Sequence, residues 1–129
     1  MSEVNLKGKL IGFEQFEKYV MEDPIGEGSP FRLLTCSEAP LTFVVVNPYH
    51  VVDDYSFEID DAVLKDLFPS GNAMEDIAVL CVVRVDGEAL YVNLRSPVII
   101  NTKAGTFVQT ILQSEAYGVA VPFVVKKAG

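Results

Sequence analysis

Residues 77–94, IAVLCVVRVDGEALYVNL, contain two apolar runs separated by Asp86-Gly87. Glycine accepts a positive φ and aspartate tolerates the left-handed region, so an Asp-Gly pair between β-branched runs is a strong signal for a β-hairpin. We therefore expect one strand over Ile77–Val85 and its antiparallel partner over Leu90–Leu94. This hairpin indicates a fold built mainly from strands.

Similar short runs of β-branched and aromatic residues recur along the chain, separated by Gly, Pro, Asn and Asp. They predict further strands over Val4–Leu10, Phe31–Cys36, Leu41–Val46, Val98–Ile100 and Thr106–Leu112, and a short extended segment over Tyr55–Ile59. Pro122 lies inside the apolar tail 119–125, which argues for an edge strand or an extended cover there. Many short strands predict a mainly β fold, either a barrel or a sandwich.

Helical spacing occurs at two places. Phe13, Phe16 and Tyr19 are three residues apart, which predicts a helical turn over Phe13–Tyr19. Residues 60–67 predict one short helix, with Asp60 as N-cap and an apolar stripe on one side. We expect residues 68–71 to end this helix.

Length and charge limit the class of protein. The 129 residues fit a single domain over 1–129, and a net charge of −8 with a pI near 4.5 argues against binding nucleic acid or an anionic membrane. A basic partner is the better expectation. No apolar run approaches the roughly 18 residues that cross a bilayer, and the N-terminus has no apolar signal region. We expect a cytoplasmic protein in which Cys36 and Cys81 are reduced thiols.

The search for catalytic chemistry finds no complete motif. His50 is the only histidine, and neither Cys36 nor Cys81 has a nearby histidine or cation in sequence to activate it. The glycine-containing stretch 26–29 lacks the lysine of a phosphate-binding loop. We therefore predict no catalytic residue, no metal site and no cofactor.

Acidic residues are concentrated in residues 53–76, where eight carboxylates and one lysine give a net charge of −7. The carboxylates are Asp53, Asp54, Glu58, Asp60, Asp61, Asp66, Glu75 and Asp76. A calcium loop does not fit, because Tyr55 and Phe57 occupy the ligand positions. A paired-carboxylate glycosidase, a solvated face and a docking surface for a cationic protein stay open as alternatives.

Five segments, in this order and spacing, resemble the FliW family of flagellar assembly factors. They are Leu10-Ile11-Gly12-Phe13-Glu14, Ser29-Pro30-Phe31, Phe43-Val44-Val45-Val46-Asn47-Pro48-Tyr49, Asp54-Tyr55-x-Phe57-Glu58-Ile59 and Asn93-Leu94-Arg95-x-Pro97-Val98-x-Ile100-Asn101. The last is the most specific, and Gly105, Gln109, Ile111, Leu112 and Tyr117 continue it. Ile11 and Asp53 stand where many relatives carry proline. The resemblance runs from about Leu6 to Pro122.

The resemblance implies a small antiparallel β-barrel with one short helix that binds proteins and is not an enzyme. Proteins similar to this one bind flagellin and the RNA-binding regulator CsrA in alternation in the cytoplasm, and so antagonise CsrA repression of flagellin synthesis. Two alternatives stay open: a general flagellin export chaperone, and a small ligand-binding or hydrolytic β-barrel.

Two sets of residues are predicted to contact partners. The acidic set faces the basic regulator CsrA and comprises Asp53, Asp54, Glu58, Asp60 and Asp61. The apolar set is predicted to contact flagellin and comprises Phe107, Val119, Val121 and Phe123. This prediction requires them to be exposed edge residues, and burial in the core is the alternative for each.

Overall fold

The computed structural model describes residues 3–23, 28–69, 71 and 76–123. The strands in these residues are β1 (Glu3–Lys9), β2 (Lys18–Glu22), β3 (Phe31–Cys36), β4 (Thr42–Val46), β5 (Ile77–Asp86), β6 (Ala89–Val92), β7 (Val98–Asn101), β8 (Thr106–Gln109) and β9 (Val121–Phe123). The helical elements are the 3₁₀ turn Pro48–His50 and the helix α1 (Asp61–Leu67). The predicted mainly β class with one short helix is confirmed.

Seven of the strands close into a barrel in the order β4-β3-β2-β1-β8-β7-β5, because β4 also pairs with β5. Six of the seven contacts around this ring are antiparallel, and β1 with β8 is the one parallel contact. The predicted antiparallel β-barrel is therefore confirmed. Ring closure leaves these seven strands without a continuous free edge for another chain to pair with.

Strand β5 extends beyond the barrel and carries a second small sheet. Residues 77–80 of β5 pair with β7, whereas residues 83–86 pair with β6, and β6 pairs in turn with β9. Val83 contacts both Val44 and Val92, so β4 and β6 lie on opposite edges of β5. Because β9 pairs only with β6 in the described part of the chain, it is the edge strand that Pro122 predicted. Residues 124 and 125 of the predicted tail lie outside the described residues.

The predicted hairpin forms, with its turn displaced by one residue. Asp86 pairs with Ala89, so the two turn residues are Gly87 and Glu88 instead of Asp86 and Gly87. Gly87 has a φ of 63°, and Glu88 has a negative φ, the sign pattern of a type II′ turn. The glycine was correctly identified as a turn residue, and the position of the turn was wrong by one residue.

The predicted helical turn over Phe13–Tyr19 is wrong. Turns occupy the segment after Leu10, and Lys18–Glu22 is strand β2, in which Tyr19 pairs with both Leu6 and Cys36. The aromatic spacing resembles a helix because the turn residues also place Phe13 and Phe16 against the core. Strand pairing on both sides of β2 decides the outcome, since a short segment between two strands gains more from ladder hydrogen bonds than from local helical ones.

The remaining predicted strands occur within a few residues of the expected bounds. Tyr55–Ile59 is extended and pairs with no strand in the described part of the chain. Helix α1 follows Asp60 as expected, but the Asp60 side chain makes no capping hydrogen bond. No helix in the described residues is long and apolar enough to cross a membrane.

The described residues form three apolar core clusters. One fills the barrel and includes Leu6, Tyr19, Leu34, Val45, Ile100 and Phe107. The second lies where β5 leaves the barrel and includes Val46, Tyr55, Cys81, Val92 and Leu94. The third, under α1, includes Leu67, Phe68 and Ile99. Phe57 packs against both the second and third clusters, so the acidic segment lies over the junction between them.

Candidate protein-binding site

The acidic segment, residues 53–61, crosses the barrel surface between the 3₁₀ turn and α1. Its side chains alternate from residue 55 to residue 60, so that Tyr55, Phe57 and Ile59 point inward while Glu58 and Asp60 are exposed. This alternation is the ordinary geometry of extended backbone, in which successive side chains point to opposite faces. The predicted acidic set is exposed in full, comprising Asp53, Asp54, Glu58, Asp60 and Asp61.

The carboxylates of the acidic segment have no cationic partner within the described residues. The ion pairs there are Lys7 with Glu17 at 4.0 Å and Arg32 with Asp23 at 3.5 Å. Glu75, part of the predicted acidic concentration, lies outside the described residues. The segment therefore presents uncompensated negative charge to solvent, which favours encounter with a cationic partner.

Two tyrosine hydroxyls attach the acidic segment to the rest of the fold. Tyr55 donates a 2.7 Å hydrogen bond to the carbonyl of Leu94, and the Tyr117 hydroxyl accepts a 2.9 Å bond from the Ser56 N–H. The rings of these two tyrosines also pack together with centroids 4.6 Å apart. The segment is held at both its buried and exposed sides, so its carboxylates project from an ordered support.

A groove of about 480 Å³ lies between residues 56–60 and the loop 110–117 that follows β8. We call it the acidic groove. Glu58 and Asp60 line it from the acidic segment, and Ile111, which is 56% exposed, lines it from the loop. Its volume falls within the range of about 300–1,000 Å³ that is usual for binding clefts. Two members of the predicted acidic set therefore line a concavity together with an exposed apolar residue, whereas no member of the predicted apolar set lines it.

The predicted apolar set does not form one exposed surface. Phe107 is 2% exposed and belongs to the barrel core, so core packing, the alternative for this residue, is the correct description. Strand alternation explains this, because β8 turns Phe107 toward Tyr19, with ring centroids 5.5 Å apart. Val119 is 62% exposed, whereas Val121 and Phe123 are half-buried. Phe123 packs on Phe31, with centroids 5.8 Å apart.

Sequence reasoning overlooked the exposed Ile111 and Tyr49 as candidate contact residues. Tyr49 is 49% exposed and its ring meets Tyr55 edge-on, with centroids 5.8 Å apart. Both occur in the motifs quoted above, but local sequence does not distinguish an exposed apolar residue from a buried one. Only their neighbours in the folded chain reveal the exposure.

The candidate catalytic side chains are placed unfavourably for chemistry. Cys36 and Cys81 are buried free cysteines, and burial raises the pKa of the Cys81 thiol to about 12. A thiol with a raised pKa stays protonated at neutral pH, the opposite of an activated nucleophile. His50 is exposed on the 3₁₀ turn. Within the described residues no three His, Cys, Asp or Glu side chains are grouped to hold a metal ion.

The chain is similar in sequence to known proteins of one family. The model of the FliW protein family matches residues 2–123. A flagellar assembly factor FliW of Caldicellulosiruptor saccharolyticus is 33% identical over 108 residues, which cover 81% of this chain and 68% of that protein. A flagellar assembly factor FliW of Clostridioides difficile is 27% identical over 125 residues, covering 95% of this chain and 94% of that protein.

A solved structure has the same fold. A crystal structure of the flagellar assembly factor FliW superposes with a TM-score of 0.81 and 23% sequence identity, covering 98% of this chain and 88% of the other. This likeness extends over the barrel, the β6–β9 extension and the acidic segment, because it includes nearly the whole chain. The family match and the shared fold lead to one conclusion: the chain belongs to the FliW family, whose curated relatives are named flagellar assembly factors.

Proposed function

We propose that this protein is a cytoplasmic flagellar assembly factor that binds flagellin and the translational regulator CsrA in alternation. In this proposal flagellin displaces CsrA when it accumulates before export, and CsrA released in this way represses flagellin synthesis. When flagellin leaves the cell, the protein again takes up CsrA and relieves the repression. The role requires linked binding equilibria and no bond-making step, so the protein is not an enzyme.

The exposed acidic segment is the observation that carries the proposal for CsrA. An RNA-binding regulator presents Lys and Arg to phosphate groups, and the acidic segment presents carboxylates that lack a cationic partner in the described residues. The same charge disfavours direct contact of this protein with nucleic acid or an anionic membrane. Family membership over residues 2–123 supports the flagellar role.

The apolar contact proposed for flagellin is supported at fewer residues than the sequence predicted. Val119 is exposed, and Val121 and Phe123 are half-buried on or next to the edge strand β9. Flagellin segments that are disordered before assembly fold on binding, which requires accessible apolar surface. Phe107 is excluded from this proposal because its side chain is in the core.

Calorimetric titration of each partner into the complex with the other tests the proposal. We expect flagellin to weaken CsrA binding, and CsrA to weaken flagellin binding by the same factor if their sites are distinct, since binding free energies are reciprocally linked. If the sites overlap, we expect complete exclusion. A ternary complex in which both affinities equal their binary values would contradict alternation, and binding of flagellin without any CsrA binding would indicate a general export chaperone.

A substrate screen tests the remaining alternative, a small ligand-binding or hydrolytic barrel. The test variant is His50→Ala. His50 is exposed, and no candidate nucleophile lies near it in the sequence. Hydrolysis by the wild-type protein that is lost in a well-folded His50→Ala variant would contradict a purely binding role.

A further inference from the structure

The acidic groove combines two kinds of surface that call for one kind of ligand. Glu58 and Asp60 are the charged residues among those described along its walls, and both are negative and exposed. Ile111 lines the same groove from the loop 110–117 and is exposed, and Phe57 and Tyr117 line it as half-buried residues. A ligand that fills the groove therefore meets two carboxylates and the apolar carbon of Ile111, Phe57 and Tyr117, together with neutral polar side chains such as Gln113.

We propose that the acidic groove is the seat of a short cationic amphipathic segment of a basic protein, with an apolar side chain inserted against Ile111 and Lys or Arg residues paired with Glu58 and Asp60. The inference deepens the proposed function and rests on it in taking the basic regulator as the source of this segment. It adds a defined location and a defined side-chain chemistry to the general attraction between an acidic and a basic surface.

Charge complementarity selects against other occupants. A phosphate-bearing ligand would be repelled by Glu58 and Asp60, which form no ion pair in the described residues and have no Lys or Arg beside them among the lining residues. A wholly apolar segment would desolvate these carboxylates without pairing them, which is costly. A wholly basic segment would leave Ile111 in water and forgo the gain from covering apolar surface. A segment with both characters satisfies both walls.

The walls of the groove are attached to the barrel and are thus preorganised. On the acidic side, Tyr117 accepts the Ser56 N–H at 2.9 Å. On the other side, the N–H of Leu112 donates to the Arg95 carbonyl at 2.8 Å, and the Arg95 side chain returns a bond to the Leu112 carbonyl at 3.2 Å. A groove that is already formed loses little conformational entropy when a ligand enters.

The test measures purified CsrA and a synthetic peptide that alternates lysine and leucine against wild-type protein and matched variants. Ile111→Asp removes apolar surface at the groove, and Val85→Asp is its control because Val85 is also 56% exposed and lies outside the groove. Glu58→Gln removes one groove charge, and its control Glu88→Gln removes a charge that is also exposed, at the β5–β6 turn. Thermal unfolding of each variant verifies that it is folded.

We expect Ile111→Asp to weaken the binding of both ligands by at least about tenfold. Glu58→Gln should weaken their binding less and should reduce its salt dependence. Both controls should bind within about twofold of wild type, since additivity holds for distant surface sites. A peptide that alternates lysine and serine, with equal charge and no apolar side chain, should bind more weakly than the lysine–leucine peptide.

The outcomes separate this inference from the proposed function. If wild-type protein binds CsrA and the groove variants bind it as well as their controls do, the groove assignment is overturned while the partner is retained. If wild-type protein does not bind CsrA, the CsrA part of the proposed function is wrong, and the inference that the regulator supplies the segment falls with it. Loss of CsrA binding confined to folded groove variants supports both.

Discussion

The hydroxyl of Tyr55 lies 2.7 Å from the carbonyl oxygen of Leu94, to which it donates a buried hydrogen bond across 39 positions of sequence. Tyr55 is 2% and Leu94 1% exposed, so water does not compete for either group. This bond connects the inward face of the acidic segment to the chain just after β6. The position of the exposed carboxylates therefore depends on a buried contact that none of them makes directly.

Tyr55→Phe should destabilise the protein by about 1–3 kcal/mol, because it keeps the ring but leaves the buried Leu94 carbonyl without its donor. Urea unfolding monitored by circular dichroism measures this. Tyr49→Phe is the matched control. Tyr49 is 49% exposed, so removing its hydroxyl leaves no buried group without a hydrogen-bond partner. Equal unfolding midpoints for the two variants would show that the Leu94 carbonyl does not depend on Tyr55.

Gly8→Ala should be severely destabilising at the parallel contact between β1 and β8. Gly8 pairs with Phe107, and a Cβ at this position would overlap the Phe107 carbonyl oxygen and lie 2.7 Å from the ring carbon Cγ. We expect a loss of about 3 kcal/mol or more, because neither the strand backbone nor the buried ring has space to move.

Gly118→Ala is the control for this prediction. A Cβ there would meet nothing closer than the Val121 Cγ2 at 3.4 Å, which is ordinary packing. Thermal melts of the two variants make the comparison. Equal melting temperatures for the Gly8→Ala and Gly118→Ala proteins would rule out the close approach of β1 to β8.

Alkaline pH should destabilise the protein through Cys81 and Tyr55. Burial raises the pKa of Cys81 from 9.0 to about 12, and burial, followed by the neighbouring Cys81, also raises the pKa of Tyr55 above its ordinary 10.0. The folded state keeps protons that the unfolded state releases, so this stability is complete below pH 9.0 and is lost as pH rises toward about 12. One such group contributes a slope of about 1.4 kcal/mol per pH unit.

Urea unfolding in the presence of a reductant, at pH values between about 8 and 10.5, measures this slope. Cys81→Ala should be less stable at neutral pH because it leaves a small cavity, yet its stability should fall less steeply with pH. Parallel pH profiles for wild type and Cys81→Ala would contradict the assignment of this dependence to the thiol.

Charge reversal at Asp53 and Asp54 should slow association with CsrA about tenfold at low salt and flatten the dependence of the rate on salt. Both carboxylates are exposed in the turn before Tyr55, so their main contribution is to steer encounter. The matched control reverses Asp86 and Glu88, which are exposed on the β5–β6 hairpin and change the net charge equally. Stopped-flow measurement of association compares the two, and equal rates would show that only net charge matters.

Asp60 is a better mutational target than its sequence position suggested. It occupies the position before α1, but its side chain makes no capping hydrogen bond. The cost of about 1 kcal/mol that is typical of removing a capping side chain is therefore not expected for Asp60→Asn. Effects of Asp60→Asn on partner binding can be interpreted as effects on the surface, with its thermal melt as the check.

The strand content and the main turns could be predicted because they depend on neighbours in sequence. Asp86-Gly87 predicted the β5–β6 hairpin, since glycine at residue 87 allows a φ of 63° wherever the chain lies. The error at Phe13–Tyr19 has the opposite origin. Its aromatic spacing fitted a helical turn, and only pairing of β2 with β1 and β3 makes it extended from residue 18 onward.

The charge of the candidate site could be predicted from the sequence, but its shape could not. The five carboxylates of the acidic segment are exposed, as expected from a run of acids that no local base neutralises. That Phe107 is buried while Ile111 is exposed follows from which face of β8 meets the barrel interior and where the chain leaves it. Residues four apart in sequence thus have opposite environments.

By itself the sequence determined a mainly β chain with a strongly acidic segment, because strand propensity, turn chemistry and charge belong to individual residues and their immediate neighbours. Tertiary structure alone decided that β1 and β8 meet in parallel, that β5 serves two sheets, and that loop 110–117 lies opposite Glu58 and Asp60 to form the acidic groove. These contacts join residues far apart in sequence, and their stability comes from burial and pairing that exist only after the barrel has closed.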